Sequence, residues 1–262
     1  MSILVSSSSD KTVRIWHTGN LEQPLTQLGL IRAHTRPVEA LAFEKCTDTS
    51  GILYTADSLG SVKVWDLQRS GGSSGECQIT LRDDWQPHRT GINSIFIANG
   101  LMLSGSSDET FIIDKVPRKS VNSKILHTVS QPAAVKALLP LFLILPEEDY
   151  IVAGAGDSIR IYSYDPSSAE DPPELLREIE AHWHDITSLA VWVRTSNLNQ
   201  VELWVLSASL DSTLRRWNIN ETLKSNDNLS TPSQQLPPSF KPENHLTEEE
   251  ERELAELMDD DL

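Results

Sequence analysis

Histidine, serine or threonine, and aspartate recur along this chain in a fixed order. His34 precedes Thr55, His88 precedes Ser104 and Asp108, and His182 precedes Ser207 and Asp211. A hydroxyl, an imidazole that takes its proton and a carboxylate that orients the imidazole make a nucleophilic centre. Three imidazoles are equally the donor set of a zinc site, and "HWH" (182–184) offers two on one strand face. The spacing argues against both chemistries. Each His holds the same place in its own stretch of sequence, so the three belong to three units and not to one centre. Serine and aspartate likewise recur at repeat positions, not as a single triad. No G-x-S-x-G, H-E-x-x-H or phosphate-cradling glycine loop is present. "GAGDS" (154–158) reads as a tight turn between strands. No catalytic residue, metal ligand or cofactor is assigned.

The elements that must position these residues are repeats. "ILVSSSSDKTVRIW" (3–16), "ILYTADSLGSVKVW" (52–65), "LMLSGSSDETFIID" (101–114) and "WVLSASLDSTLRRW" (204–217) share one layout. An apolar run passes into small polar residues, then a turn, then alternating residues that end on a bulky one. A fifth copy, "YIVAGAGDSIRIY" (150–162), has a turn one residue shorter. The copies end at 16, 65, 114, 162 and 217, so the steps are 49, 49, 48 and 55. A period of this size marks a propeller or a solenoid. Alternation within each copy is the strand signature, and small polar residues suit the tight turns between strands. Before three of the copies, a His stands four residues ahead of a β-branched residue that opens another apolar strand: "AHTRPV" (33–38), "PHRTGI" (87–92) and "AHWHDI" (181–186).

His, then Ser or Thr in the second strand, Asp in the turn and Trp closing the third strand together resemble the WD40 repeat family. The resemblance covers residues 3–219. It implies an all-β fold, a β-propeller, in which these four residues form a buried hydrogen-bond network in each blade. Imidazole, hydroxyl, carboxylate and indole N–H can satisfy one another away from water. The last unit is complete, with His182, Ser207, Asp211 and Trp217. The first has Ser6, Asp10 and Trp16 and no His. The second has His34, Thr55 and Trp65, with Leu59 in the place of the turn Asp. The third has His88, Ser104 and Asp108, with Asp114 in the place of Trp. The fourth lacks a His, and its Asp157 is displaced by one position. Units two to four are therefore expected to be less firmly pinned than the fifth.

Counting strands gives about five recognisable blades in an open or incomplete propeller. The first blade lacks its inner strand, and blades two, three and four are complete, with inner strands starting near Pro37, Gly91 and Ala134. The fifth runs from about Asp185 to Asn220 and lacks its outer strand. A truncated product, a partial gene model and an open propeller completed by a partner all fit this count. Unpaired strand edges invite strand addition, by a partner or by oligomerisation. "ALLPLFLILP" (137–146) is too short for a membrane span, is broken by Pro140, and reads as buried strand.

Three regions follow: propeller repeats over 1–220, a polar Pro/Ser/Asn-rich linker over 221–246, and an acidic segment over 247–262. Residues 241–262 carry ten acidic and two basic side chains. Thr247 and Glu250 fit a capping box, and Leu254, Leu257 and Met258 share one helix face. Two readings stand for this segment, a solvated tail or a short docking helix. The net charge of −16 argues against nucleic acid or an anionic membrane as a direct partner. Cys46 and Cys77 make no disulfide framework and no secretory signal is visible, which suits an intracellular, cytoplasmic or nuclear, setting.

The partners expected are other proteins. The loop face of such a propeller would expose Arg36, Leu59, Trp85, Arg89, Trp183, His184 and Leu210, and Trp and Arg are favoured interface anchors. Trp85 and Trp183 have a second reading, as packing between neighbouring loops. Trp192 and Trp204 lie in strand runs and are assigned to the core. Arg14, Lys63, Arg160 and Arg215 recur two residues before the closing bulky residue, a structural, solvent-facing or inter-blade position. The function expected is a non-enzymatic scaffold in a multiprotein complex. The alternatives are a substrate receptor of a ubiquitin ligase, disfavoured because "WDLQR" (65–69) puts Gln68 where the receptor motif needs Arg, and a propeller enzyme or small-ligand binder.

Overall fold

The computed structural model describes residues 3–18, 24–69, 77–116, 125–145, 148–168, 171–195 and 201–224. Among the described residues eighteen antiparallel strands form five separate sheets, in chain order. The first sheet is β1 (Ile3–Ser7), β2 (Val13–His17) and β3 (Thr26–Ile31). The second is β4 (Val38–Lys45), β5 (Ser50–Asp57), β6 (Val62–Arg69) and β7 (Cys77–Trp85). The third is β8 (Ile92–Ala98), β9 (Leu101–Ser106), β10 (Thr110–Lys115) and β11 (His127–Ser130). The fourth is β12 (Val135–Pro140), β13 (Tyr150–Ala155), β14 (Ser158–Ser163) and β15 (Glu174–Glu180), with the short helix α1 (Leu141–Ile144) after β12. The fifth is β16 (Ile186–Thr195), β17 (Val201–Ser209) and β18 (Leu214–Asn218), followed by the short helix α2 (Ile219–Lys224). The sheets begin where the sequence places them. The apolar run at 137–146 is strand only as far as Pro140, after which it turns into α1.

The core lies between sheets. Because side chains alternate across a strand, each sheet gives one face to its predecessor and the other to its successor. Val13 and Ile15 pack on Leu53 and Leu67 of the second sheet, and Tyr54 and Val62 turn the other way onto Ile92, Ile95 and Met102 of the third. Leu103 and Phe111 meet Val135, Ile151 and Tyr162, while Val152, Ile159 and Ile161 meet Ile186, Leu203 and Val205.

Two local devices make this packing close. The residue after the hydroxyl place is small: Ala56 after Thr55, Gly105 after Ser104 and Gly154 after Ala153. A Cβ on Gly105 would come within 2.8 Å of Val135, and one on Gly154 within 2.8 Å of Ile186. The glycines thus make sockets for the β-branched residue that opens the next inner strand. Each complete inner strand, and β16, also carries a one-residue bulge just after that opening residue, at Glu39, Asn93, Lys136 and Thr187. Two of these bulged side chains reach the next sheet: Asn93 Nδ2 donates to the Val135 carbonyl at 2.8 Å, and Lys136 pairs with Asp185 at 2.6 Å.

Candidate functional site

In the second to fifth sheets the turn between the second and third strands meets the loop that leads into the inner strand; the corresponding turn of the first sheet lies between β1 and β2. Ser58 N donates to the Pro37 carbonyl and Leu210 N to that of Asp185, so both kinds of loop share one face. Each of the five turns holds one residue in the left-handed region: Lys11, Gly60, Glu109, Gly156 and Ser212. Side chains there cost conformational energy, and the adjoining Asp offsets it at Asp10, Asp108 and Asp211 by accepting hydrogen bonds from the turn.

The fifth sheet shows the full arrangement. His182 Nε2 lies 2.7 Å from Ser207 Oγ, which also accepts the Trp217 indole N–H at 2.9 Å. His182 Nδ1 lies 2.9 Å from Asp211 Oδ2. The same carboxylate accepts the amide of Trp183 at 3.1 Å and the amide and hydroxyl of Thr213 at 2.9 and 2.7 Å. Burial pushes the Asp211 carboxyl up, but the donors from Thr213, Trp183 and His182 outweigh it and hold the group well below the ordinary carboxylate range. Every polar atom is used to join three segments of chain. The imidazole is closed off by its own partners and has no free hydroxyl to activate.

In the third sheet His88 bridges Ser104 at 2.9 Å and Asp108 at 3.2 Å. Burial holds the His88 imidazole below its ordinary pKa in spite of Asp108. The Asp108 carboxyl is pushed up by burial and pulled down further by Thr110, the Arg89 amide and His88, so it too lies below its usual value. Asp114, in the place of Trp, is buried and caps the Lys115 amide at 2.8 Å.

Two expectations need correction. The second sheet does not lack its carboxylate at Leu59. Asp57, two residues earlier and at the end of β5, supplies it: His34 Nδ1 lies 2.8 Å from Asp57 Oδ2, and Asp57 Oδ1 accepts the amides of Leu59 and Ser61. With His34 Nε2 2.7 Å from Thr55 Oγ1, and the Trp65 indole donating to that hydroxyl at 3.0 Å, the cluster is complete. The fourth sheet is also pinned, by different chemistry. Gln131 stands four residues before Val135, as each His stands before its opening residue. Its amide Nε2 donates to the Tyr162 hydroxyl at 2.8 Å, and that hydroxyl lies 3.1 Å from Gln131 Oε1. Tyr162 fills the Trp place with Ala153 at the hydroxyl place, so one phenol supplies what a serine and an indole supply elsewhere. Asp157 takes no part; its side chain bonds Ser158. In the first sheet Trp16 donates to Ser6 at 3.0 Å, while Asp10 lies in solvent with Thr12 and Arg14.

Around these clusters the face is open. Arg36, Arg89 and His184 are exposed, and so are Leu59, Leu210 and, at 83%, Trp183. Trp85 is different: it is half-buried and packs on the cluster around Tyr54, Val62 and Ile92. Arg89, Thr90, Ser107, Asp108 and Glu109 line an open hollow of about 340 Å³. Trp192 and Trp204 do not sit in the core as expected. Trp192 is 39% exposed, and Trp204 is half-buried beneath the Arg216 guanidinium, 5.0 Å from its ring. They stand on the face of the fifth sheet that looks away from the fourth, which no other described sheet covers. Leu254, Leu257 and Met258 lie outside the described residues. Among the described residues no three His, Cys, Asp or Glu side chains converge to hold a metal ion.

Five sheets packed face to face in chain order, the second to fifth each tied by a residue of the loop before its inner strand to the strands behind it, define a WD40-type β-propeller array. The comparisons agree. The family described as "WD domain, G-beta repeat" matches residues 1–17 and 173–218. An uncharacterized WD repeat-containing protein of Schizosaccharomyces pombe is 24% identical over 261 residues, covering 98% of this chain and 61% of that protein. The nuclear distribution protein nudF of Aspergillus niger is 22% identical over 234 residues, covering 84% of this chain and 47% of that protein. The chain thus spans about half to three-fifths of the length of these curated relatives. Crystal structures of two computationally designed proteins share the fold. Ika8 matches with a TM-score of 0.58 and 22% identity, over 84% of this chain and 56% of its own. Ika4 matches with a TM-score of 0.51 and 21% identity, over 72% of this chain and 95% of its own. The family match and the relative named as a WD repeat-containing protein together support a WD-repeat protein.

Proposed function

We propose that this chain is a non-catalytic scaffold that holds other proteins in a complex through its loop face. WD-repeat proteins generally mediate protein–protein interactions, and the family is typically non-enzymatic. One observation carries the reading to this chain. Trp183 is 83% exposed, yet its backbone is fixed, because its own amide donates to Asp211 and its neighbour His182 is locked in the buried cluster. A large apolar side chain carried in water on a fixed backbone costs little backbone entropy on binding and offers a large area, which is what an interface anchor needs. Leu210, 54% exposed, stands on the adjoining turn. The acidic segment 241–262 is a second element of the proposal, and an intracellular setting, cytoplasmic or nuclear, completes it.

Affinity capture with the full chain, with Trp183→Ala, and with residues 241–262 removed separates the two elements. The expected result is loss of one set of partners with Trp183→Ala at unchanged folded yield, with a different set lost on removal of the tail. Unchanged recovery in both variants would sink the reading. Reproducible turnover by the purified chain would replace a scaffold with an enzyme.

A further inference from the structure

In the third and fifth sheets the residue after the buried histidine gives its backbone amide to the turn carboxylate. Arg89 N donates to Asp108 at 2.9 Å, and Trp183 N to Asp211 at 3.1 Å. The second sheet breaks this pattern. Its carboxylate, Asp57, serves His34 and the amides of Leu59 and Ser61. Thr35, which follows His34, is exposed, and its amide finds no acceptor among the described residues. In the fourth sheet the same place holds Pro132, which has no N–H to satisfy. Among the described residues Thr35 therefore offers, at this place, a donor that the fold does not use.

Three cations belong to the same corner of the loop face, where the first and second sheets meet. Arg32 and Arg36 flank Thr35 in the chain. Lys11 sits in the first sheet's turn, and the Thr35 loop rests on that turn through the Val38 N–H, which donates to the Ser8 carbonyl at 3.4 Å. The pairing of Val13 with Ile31 brings Lys11 and Arg32 to the same end of the first sheet. All three cations are exposed, and none meets a carboxylate among the described residues. The nearby acids are engaged or turned away. Asp10 holds Thr12 and Arg14, Asp57 holds His34, and Glu39 Oε2 lies against Gly91 of the third sheet, where a Cβ would come within 2.9 Å of it. Elsewhere such cations are paired, Lys63 with Asp84 and Arg160 with Glu178. A chain of net charge −16 thus reverses its sign locally at this corner.

We propose that the Thr35 amide, with Lys11, Arg32 and Arg36, binds an acidic segment of a partner protein. One carboxylate of the segment takes the Thr35 N–H, as Asp108 and Asp211 take the equivalent amides, and its neighbours face the three cations. Hydrogen bonds to an ionised acceptor are the strong ones, and the cations speed encounter with an acidic chain. A carboxylate is the anion this fold already seats at that amide. The proposal rests on the protein-binding reading above and names the chemistry of a partner at the second sheet's loop, where Trp183 takes no part.

The test titrates the full chain onto a short fluorescent peptide of glutamates spaced by glycine, beside its glutamine counterpart. Saturable binding of the glutamate peptide alone is expected, falling as salt rises. Arg36→Gln should weaken it about tenfold, as loss of a charge-assisted pair implies. Thr35→Pro should weaken it comparably by deleting the N–H, in a backbone place where the fourth sheet already carries Pro132. Absence of binding, or equal binding of the two peptides, overturns the proposal and needs no altered protein. Full binding by Thr35→Pro overturns it too. So does an equal loss with Lys115→Gln, an exposed cation on the third sheet, since net charge alone would then explain the affinity. Displacement of the peptide by inorganic phosphate at lower concentration than by acetate would assign the corner to phosphate. Binding that appears only when residues 241–262 are removed would assign it to the chain's own acidic segment. Either result overturns the partner reading. Trp183→Ala should leave peptide binding unchanged, so this proposal and the Trp183 anchor fail separately.

Discussion

In the second sheet the buried polar cluster is built on a carboxylate; in the fourth it is built on an amide and a phenol. His34, Thr55, Asp57 and Trp65 spread the task over four side chains, and Asp57 is almost wholly buried. Gln131 and Tyr162 do it with two, without an ionisable carboxylate in the cluster. Both clusters join the loop before the inner strand to the third strand behind it, and the second sheet's cluster includes its second strand as well. The backbone sets the problem, and any side chains that reach the same points with matched donors and acceptors solve it. The difference lies in the cost of failure, because stranding a buried charge or imidazole costs more than stranding a neutral amide.

That contrast ranks three substitutions. Asp57→Ala should have the largest effect, about 3–5 kcal/mol, because it removes the acceptor for His34 and for two turn amides at once. Urea unfolding measures it, and a loss under 1 kcal/mol would mean that Asp57 is not the working carboxylate. Tyr162→Phe should cost about 1–2 kcal/mol by leaving the Gln131 amide without its partner while the ring contacts remain. The same assay reads this, and a loss as large as that of Asp57→Ala would erase the distinction between the two chemistries. Leu59→Asp should change stability by no more than about 0.5 kcal/mol, since Asp57 already accepts the turn amides. A gain well above that would show the place at 59 to be open after all.

Period-two runs, small polar turns and the His four residues ahead of a β-branched residue were enough to place the five sheets. These signals are local, and strands of this length obey them. Asp57 escaped because aligning repeats by turn length puts Leu59 in the carboxylate's place; in space, a side chain at the end of β5 reaches the same imidazole from two residues away. Gln131 escaped because an amide does not share the histidine signature, although its spacing to Val135 is the signal that marks it. Trp192 and Trp204 misled for another reason. Their alternation is that of a core strand, but burial depends on whether a further sheet lies over the outer face of β16–β18, and no pattern within those strands encodes that.

The inter-sheet clusters have one more consequence. Each described sheet packs only on its chain neighbours, so the array behaves as a one-dimensional stack whose stability is a sum of units and of shared boundaries. Among the described residues the second, third and fourth sheets each own two boundaries and the first and fifth own one. Opening should therefore start at the terminal units and travel inward, with the fifth sheet's complete polar cluster acting as a brake at one end and the exposed Asp10 turn offering little resistance at the other. A protein seated on the fifth sheet would then do more than attach: it would add a boundary, and so set how far the whole stack unravels.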